Sequence, residues 1–127
     1  MTEVPSNLKY TDSHEWIRVE GDQATIGITH YAQTKLTDIV YVEFGDVGKE
    51  VKRGDELGTV ESVKTVSEIY APVGGVVQDY NKELEDSPQL MNEDPYGKGW
   101  FAVIKMSDPS EVEELLDSKS YSKLTKE

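Results

Sequence analysis

The stretch Leu57-Gly58-Thr59-Val60-Glu61-Ser62-Val63-Lys64-Thr65-Val66-Ser67-Glu68-Ile69-Tyr70-Ala71-Pro72 decides the fold. It is rich in β-branched residues, which favour the pleated, half-buried surface of a strand. It is also too long for one strand of a small domain, so it must fold back on itself. Val60, Val63, Val66 and Ile69 recur every third residue, which taken alone suggests a helix. Gly58, Pro72 and the Gly74-Gly75 pair argue against a continuous helix. A turn over Ser62-Val63-Lys64-Thr65 resets the phase. Val60 then faces away from Glu61, while Val66, Glu68 and Tyr70 share one face and Ser67 and Ile69 the other. The reading is a β-hairpin with Lys64 held out at its tip.

Outward from the hairpin, short strands follow at regular spacing. Trp16 to Val19 and Ala24 to Ile28 read as strands around the turn Glu20-Gly21-Asp22. Thr29 is placed to cap a short helix over His30 to Leu36. Ile39 to Phe44 is apolar on both faces apart from Glu43, as suits a strand inside a sandwich. Gly75 to Tyr80 returns as a strand, and Ser87-Pro88 opens a short helix to about Asn92. From Trp100 to Met106 the side chains alternate as in a half-buried strand. Asp108-Pro109-Ser110-Glu111 has the pattern of a capping box, with Val112, Leu115 and Leu116 forming one apolar face. A last helix is expected from Ser118 past Tyr121 to Leu124. Residues 1–9 are polar and expected to be loosely held. The large aromatics Trp16, Trp100 and Tyr41 are expected in the core. The fold class is mainly β, a small sandwich or barrel of one domain over 1–127, with a C-terminal helical appendage over 108–127.

Composition narrows the function. The chain has 127 residues and a formal net charge of −12, from 25 acidic against 13 basic residues. Such a surface repels nucleic acid and anionic membranes. With no cysteine there is no disulfide framework, thiolate zinc site or catalytic thiol. Only His14 and His30 are histidines, so a His-based metal site would have to recruit carboxylates. No Ser/His/Asp arrangement or phosphate loop supports catalysis by the chain itself. No apolar run approaches a membrane span, and the first residues lack the character of a signal or transit peptide, so a cytoplasmic location is expected.

The stretch from Val60 to Val77 closely resembles the lipoyl-attachment hairpin of lipoyl-carrier domains, and its core Glu61-Ser62-Val63-Lys64 resembles the glycine cleavage H-protein family. His14-Glu15-Trp16, Ile26-Gly27-Ile28-Thr29, Tyr31-Ala32-Gln33, Asp38-Ile39-Val40-Tyr41-Val42-Glu43 and Asn92-Glu93-Asp94-Pro95-Tyr96 resemble motifs of that family in order, over roughly residues 8 to 124. A biotinyl domain uses a similar hairpin but typically carries Met on both sides of the lysine; Val63 and Thr65 stand here instead.

This resemblance implies the flattened sandwich, or barrel-sandwich hybrid, of lipoyl domains, with lipoate joined to Lys64. A lipoate-attaching enzyme would read the flanking Glu61, Ser62, Val63 and Thr65. The resemblance further implies a carrier serving three enzymes: a glycine decarboxylase that loads an aminomethyl group, an aminomethyltransferase that takes it, and a dihydrolipoyl dehydrogenase that reoxidises the dithiol. In this family the loaded arm folds into a surface cleft. The matching positions are Ser13, Glu15, Glu68 and either His30 or Tyr31, where some relatives have Asp and His respectively. Two further readings are a lipoyl or octanoyl relay to 2-oxoacid dehydrogenase complexes, and an unmodified β interaction module.

Overall fold

The computed structural model describes residues 4–125. Its strands are β1 (Lys9–Tyr10), β2 (Glu15–Glu20), β3 (Gln23–Ile28), β4 (Ile39–Phe44), β5 (Glu50–Val51), β6 (Glu56–Ser62), β7 (Val66–Tyr70), β8 (Gly75–Tyr80) and β9 (Ala102–Met106). Its helices are α1 (His30–Leu36), α2 (Glu83–Asp86), α3 (Leu90–Glu93) and α4 (Ser118–Leu124), with a 3-10 turn over Pro109–Glu114.

The expected hairpin is β6 and β7. Their antiparallel register pairs Glu61 with Val66 and Thr59 with Glu68. Val60 and Ile69 point inward and are buried, while Glu61, Val66 and Glu68 face solvent, so the turn does reset the phase of the apolar pattern. β4 pairs with the other edge of β6, giving a three-stranded sheet in the order β4-β6-β7. The remaining strands form a six-stranded antiparallel sheet in the order β1-β2-β3-β9-β8-β5.

The two sheets bury their inner faces against each other, as one-sided apolar sheets must. Val42, Leu57, Val60 and Ile69 from the smaller sheet meet Ile17, Ile26, Val77 and Ile104 from the larger. Close approach at Gly58 helps: a Cβ there would overlap the Glu43 carbonyl and lie 2.7 Å from the Phe101 ring. A second cluster, Leu8, Tyr10, Trp16 and Tyr121, brings the two ends of the chain together.

Several expectations are corrected. β4 is not buried on both faces: it is an edge strand of its sheet, and among the described residues no further sheet covers its outer side. A bulge between Ile39 and Tyr41 shifts its phase. Ile39 and Val42 therefore point in, while Val40 and Tyr41 stand 48% and 53% exposed. Trp16 is core, Tyr41 is not, and Trp100 is only partly buried beside the second cluster. Ser87 does not cap the helix that follows it; its N–H closes α2 on Glu83, a helix the sequence reading missed, and α3 starts at Leu90.

Asp108 does cap the turn after it, accepting from the Ser110 N–H, but that turn is 3-10 rather than α. Glu111 completes no capping box, because its Oε1 accepts from the Gly74 N–H at 2.9 Å. Leu116 leaves the helix to exchange both backbone hydrogen bonds with Tyr10. That bridge, with the Tyr10 hydroxyl donating to the Pro5 carbonyl, holds much of the segment expected to be loose. Residues 1–3 of that segment and 126–127 of the appendage lie outside the described residues.

Candidate functional site

The tip of the hairpin is held from within. Ser62 is buried, and its Oγ accepts from the Lys64 N–H at 3.1 Å and the Thr65 N–H at 3.0 Å. The Ser62 N–H donates to the Thr65 carbonyl at 2.8 Å, closing the turn. Such hydroxyl-to-backbone bonds pin a short turn that has no ladder of its own. An outside brace comes from the Asp38 carbonyl, which accepts from the Val63 N–H at 3.0 Å. The side chains of Val63, Lys64 and Thr65 remain exposed. Glu61 is exposed too, between Tyr41 and Val66 on the outer face of the sheet.

Lys64 reaches back over α1, its Nζ 3.4 Å from the Lys35 carbonyl. Beside it lies a cleft of about 310 Å³, bounded by the segment 13–15, by α1 and by β7. Its apolar lining comes from Ile28, Ala32, Leu36, Val60 and Ile69, and its polar lining from Ser13, Glu15, Ser67 and Glu68. Tyr31 lines this cleft and His30 does not. The rotation of α1 decides between them: the His30 ring turns towards Gln33, while Tyr31 packs against the His14 ring at 4.7 Å with Lys35 over its own face. Ser13, Glu15, Tyr31 and Glu68 are thus brought together, and His30 is left outside.

Glu15 is not the solvated strand residue its place beside Trp16 allowed. It is 2% exposed. Its Oε1 accepts from Thr11 Oγ1 and Ser13 Oγ, both at 2.6 Å, and its Oε2 from the Tyr70 N–H at 3.3 Å. Burial raises its pKa above the ordinary glutamate range; the Ser13, Thr11 and Tyr70 donors work against that, and Asp12 adds to it. Gly27 permits the arrangement, since any Cβ there would sit 2.7 Å from the Trp16 indole that seats β2. At the exposed Glu68, the carboxylate accepts from the Tyr70 hydroxyl.

Three contributors escaped the sequence reading. His14 forms part of the lining, Thr11 holds Glu15, and Lys35 supplies the carbonyl under Lys64. His14 carried one legible signal, its place beside Glu15; the positive φ of 70° that turns its ring inward left no mark. Among the described residues no group of three or more His, Cys, Asp or Glu is placed to hold a metal, and no helix is long and apolar enough to cross a membrane.

A rigid hairpin presenting one lysine beside a half-apolar cleft is the arrangement of a carrier domain. The sequence matches the model of the family described as glycine cleavage H-protein over residues 8–127. It is 51% identical over 124 residues to the glycine cleavage system H protein of Bacillus subtilis, covering 98% of each chain. With that of Staphylococcus saprophyticus it shares 55% over 121 residues, covering 95% of this chain and 96% of the relative. The crystal structure of a glycine cleavage system H protein from Mycobacterium marinum superposes with a TM-score of 0.86 at 36% identity, covering 94% of this chain and 97% of that one. The chain belongs to the glycine cleavage H-protein family, the lipoyl-carrier component of the glycine cleavage system.

Proposed function

We propose that Lys64 is the residue on which this carrier bears lipoate, joined as an amide through Nζ. We further propose that the chain, as a single non-catalytic domain, serves glycine decarboxylase, aminomethyltransferase and dihydrolipoyl dehydrogenase in turn. Once attached, lipoate supplies a long arm whose dithiolane exchanges the aminomethyl group and electrons. The chain's own residues do the rest. Ser62 and Asp38 fix the tip, so that Lys64 is presented in one orientation to whatever enzyme approaches. Glu61, Val63 and Thr65, exposed around it, together with the buried Ser62, form the surface that the lipoate-attaching enzyme reads.

The cleft fits the group in kind. Its aliphatic lining suits a hydrocarbon arm, and its carboxylates suit the cationic amine of the cargo. Ser13, Glu15 and Glu68 hold that amine, Tyr31 and the aliphatic walls exclude water, and the cargo is kept from hydrolysis. The observation that carries the reading is that the Lys64 amine lies by the carbonyl of Lys35, a residue that lines this cleft. The relay alternative is not favoured, since the relatives carry the name of the glycine cleavage system. A cytoplasmic location accords with bacterial relatives.

The test is intact mass of the protein from cells supplied with lipoate. One lipoyl increment is expected, mapped to the peptide containing Lys64 and absent in Lys64→Arg, which keeps the charge but forms no such amide. An increment on another lysine, or none under permissive conditions, would sink the carrier reading of Lys64.

A further inference from the structure

One residue of the C-terminal helix is tied into both walls of the cleft without lining it. Tyr121 on α4 is fully buried, its ring stacked on Tyr10 at 4.7 Å and 11°. Its hydroxyl lies 2.7 Å from Thr29 Oγ1 and 2.8 Å from His14 Nδ1. Each partner governs one wall. Thr29 caps α1 by accepting from the Ala32 N–H at 3.1 Å, so it sets the start of the helix that carries Tyr31, Ala32 and Lys35 into the cleft. His14 sits between Ser13 and Glu15, and its ring packs on Tyr31. The Thr29 N–H also donates to the His14 carbonyl at 3.1 Å, so the two walls are already joined at the backbone. The phenol adds a side-chain lock to that joint.

The chemistry requires a hydroxyl at this point. A phenol has one proton to donate and lone pairs to accept, so it bridges its two neighbours in either direction. It donates to His14 Nδ1 while the Thr29 hydroxyl donates to it, or it donates to Thr29 while a protonated Nδ1 donates to it. Phenylalanine would preserve the stack on Tyr10 and lose both bonds.

We propose that Tyr121 is a positioning residue for the cleft, fixing the α1 wall against the Ser13–Glu15 wall through Thr29 and His14. The proposal rests on the reading of this cleft as the place where the cargo's amine is held. It assigns the C-terminal helix a part in sheltering the cargo, at a distance from Lys64.

The test uses full-length Tyr121→Phe, with Tyr10→Phe and Glu15→Ala beside it. Tyr10→Phe removes a hydroxyl from the same ring stack, but one that donates to the Pro5 carbonyl. In the protein without lipoate, NMR of Tyr121→Phe should show a changed His14 Nδ1 shift and changed amide shifts at Ser13 and Tyr31, with those of β5 unmoved. In the loaded protein, release of ammonia and formaldehyde should rise about three- to tenfold, the effect of one or two lost hydrogen bonds. Lipoylation of Lys64 should be unchanged, and Tyr10→Phe should stay within about twofold of wild type.

Several results would overturn the proposal. Unmoved shifts at His14 and Ser13 would do so, and so would equal acceleration by Tyr10→Phe, which would mark a general loosening of the stack. If Glu15→Ala speeds release and Tyr121→Phe does not, the positioning role is wrong and the cleft reading stands. If neither speeds it, the cleft reading falls and this inference falls with it.

Discussion

At the hairpin tip, four consecutive residues and one carbonyl from Asp38 set the turn that carries Lys64, whereas the cleft beside it is assembled from residues 13–15, 28, 31, 32, 35, 36, 60 and 67–69. The tip leaves the Lys64 amine in solvent; the cleft takes its central carboxyl almost wholly out of it. The roles proposed for them differ in what they demand. A modification site must be reached by several enzymes, and a rigid exposed turn provides that. A shelter must exclude water, and exclusion requires walls from several elements. Placement is cheap at the tip and cooperative at the cleft, so equivalent substitutions should behave differently in the two regions.

The largest separation should come from Glu15→Ala. One charge-assisted hydrogen bond is worth about 1.5–3 kcal/mol. Removing the carboxylate should therefore lower retention of the cargo about tenfold or more, read as faster release of formaldehyde and ammonia, with initial lipoylation unchanged. Equal release rates would mean that the cleft does not shelter the amine.

The next effect is a pH dependence. Burial gives Glu15 a folded pKa above its unfolded one. Between those values the native state binds more protons than the unfolded chain, so stability falls as pH rises through that window. The slope contributed by one such group is at most about 1.4 kcal/mol per pH unit. Glu15→Gln keeps an oxygen for Thr11 and Ser13 but cannot ionise. Urea unfolding from about pH 4 upward should show wild type losing stability relative to this variant above the ordinary glutamate value. His14, whose pKa burial lowers, gives the opposite sign, losing stability as pH falls below the ordinary histidine range. That contribution is common to both proteins and cancels in the difference. A difference that does not change with pH would show that folding leaves the Glu15 pKa where it stands in the unfolded chain.

At the tip, Ser62→Ala removes the acceptor of two backbone N–H groups and should cost about 1 kcal/mol. Lipoylation should slow while cargo release keeps its rate. An unchanged lipoylation rate would show that the turn needs no internal brace. The smallest effect belongs to Glu61→Ala, which touches an exposed residue: lipoylation should slow, with the melting temperature within about two degrees of wild type. A large loss of stability with normal lipoylation would assign Glu61 to folding instead.

The same contrast explains what the sequence revealed. The hairpin was legible down to its tip because β-branched runs, punctuating glycines and a single turn are local signals. β2, β3, β8 and β9 were legible for the same reason. Tyr41 was misjudged because an apolar strand looks alike at an edge and at a centre; only the missing outer layer separates the two. Glu111 was misjudged because a capping pattern does not exclude a rival donor, here the Gly74 N–H brought in from another strand. Among cleft residues, Ser13, Glu15 and Glu68 came from the family resemblance. The choice of Tyr31 over His30 needed the rotation of α1, and Thr11 and Tyr121 act through contacts that no local pattern encodes.

The stack of Tyr10 on Tyr121 and the bond from Tyr121 to His14, 107 residues apart in sequence, also set an order in time. A chain made from its N-terminus releases the hairpin, with Lys64, well before α4. Contacts that close so long a loop are favoured late in folding, after shorter ones have formed. During synthesis the proposed modification site can therefore take shape before the cleft proposed to shelter the cargo is closed.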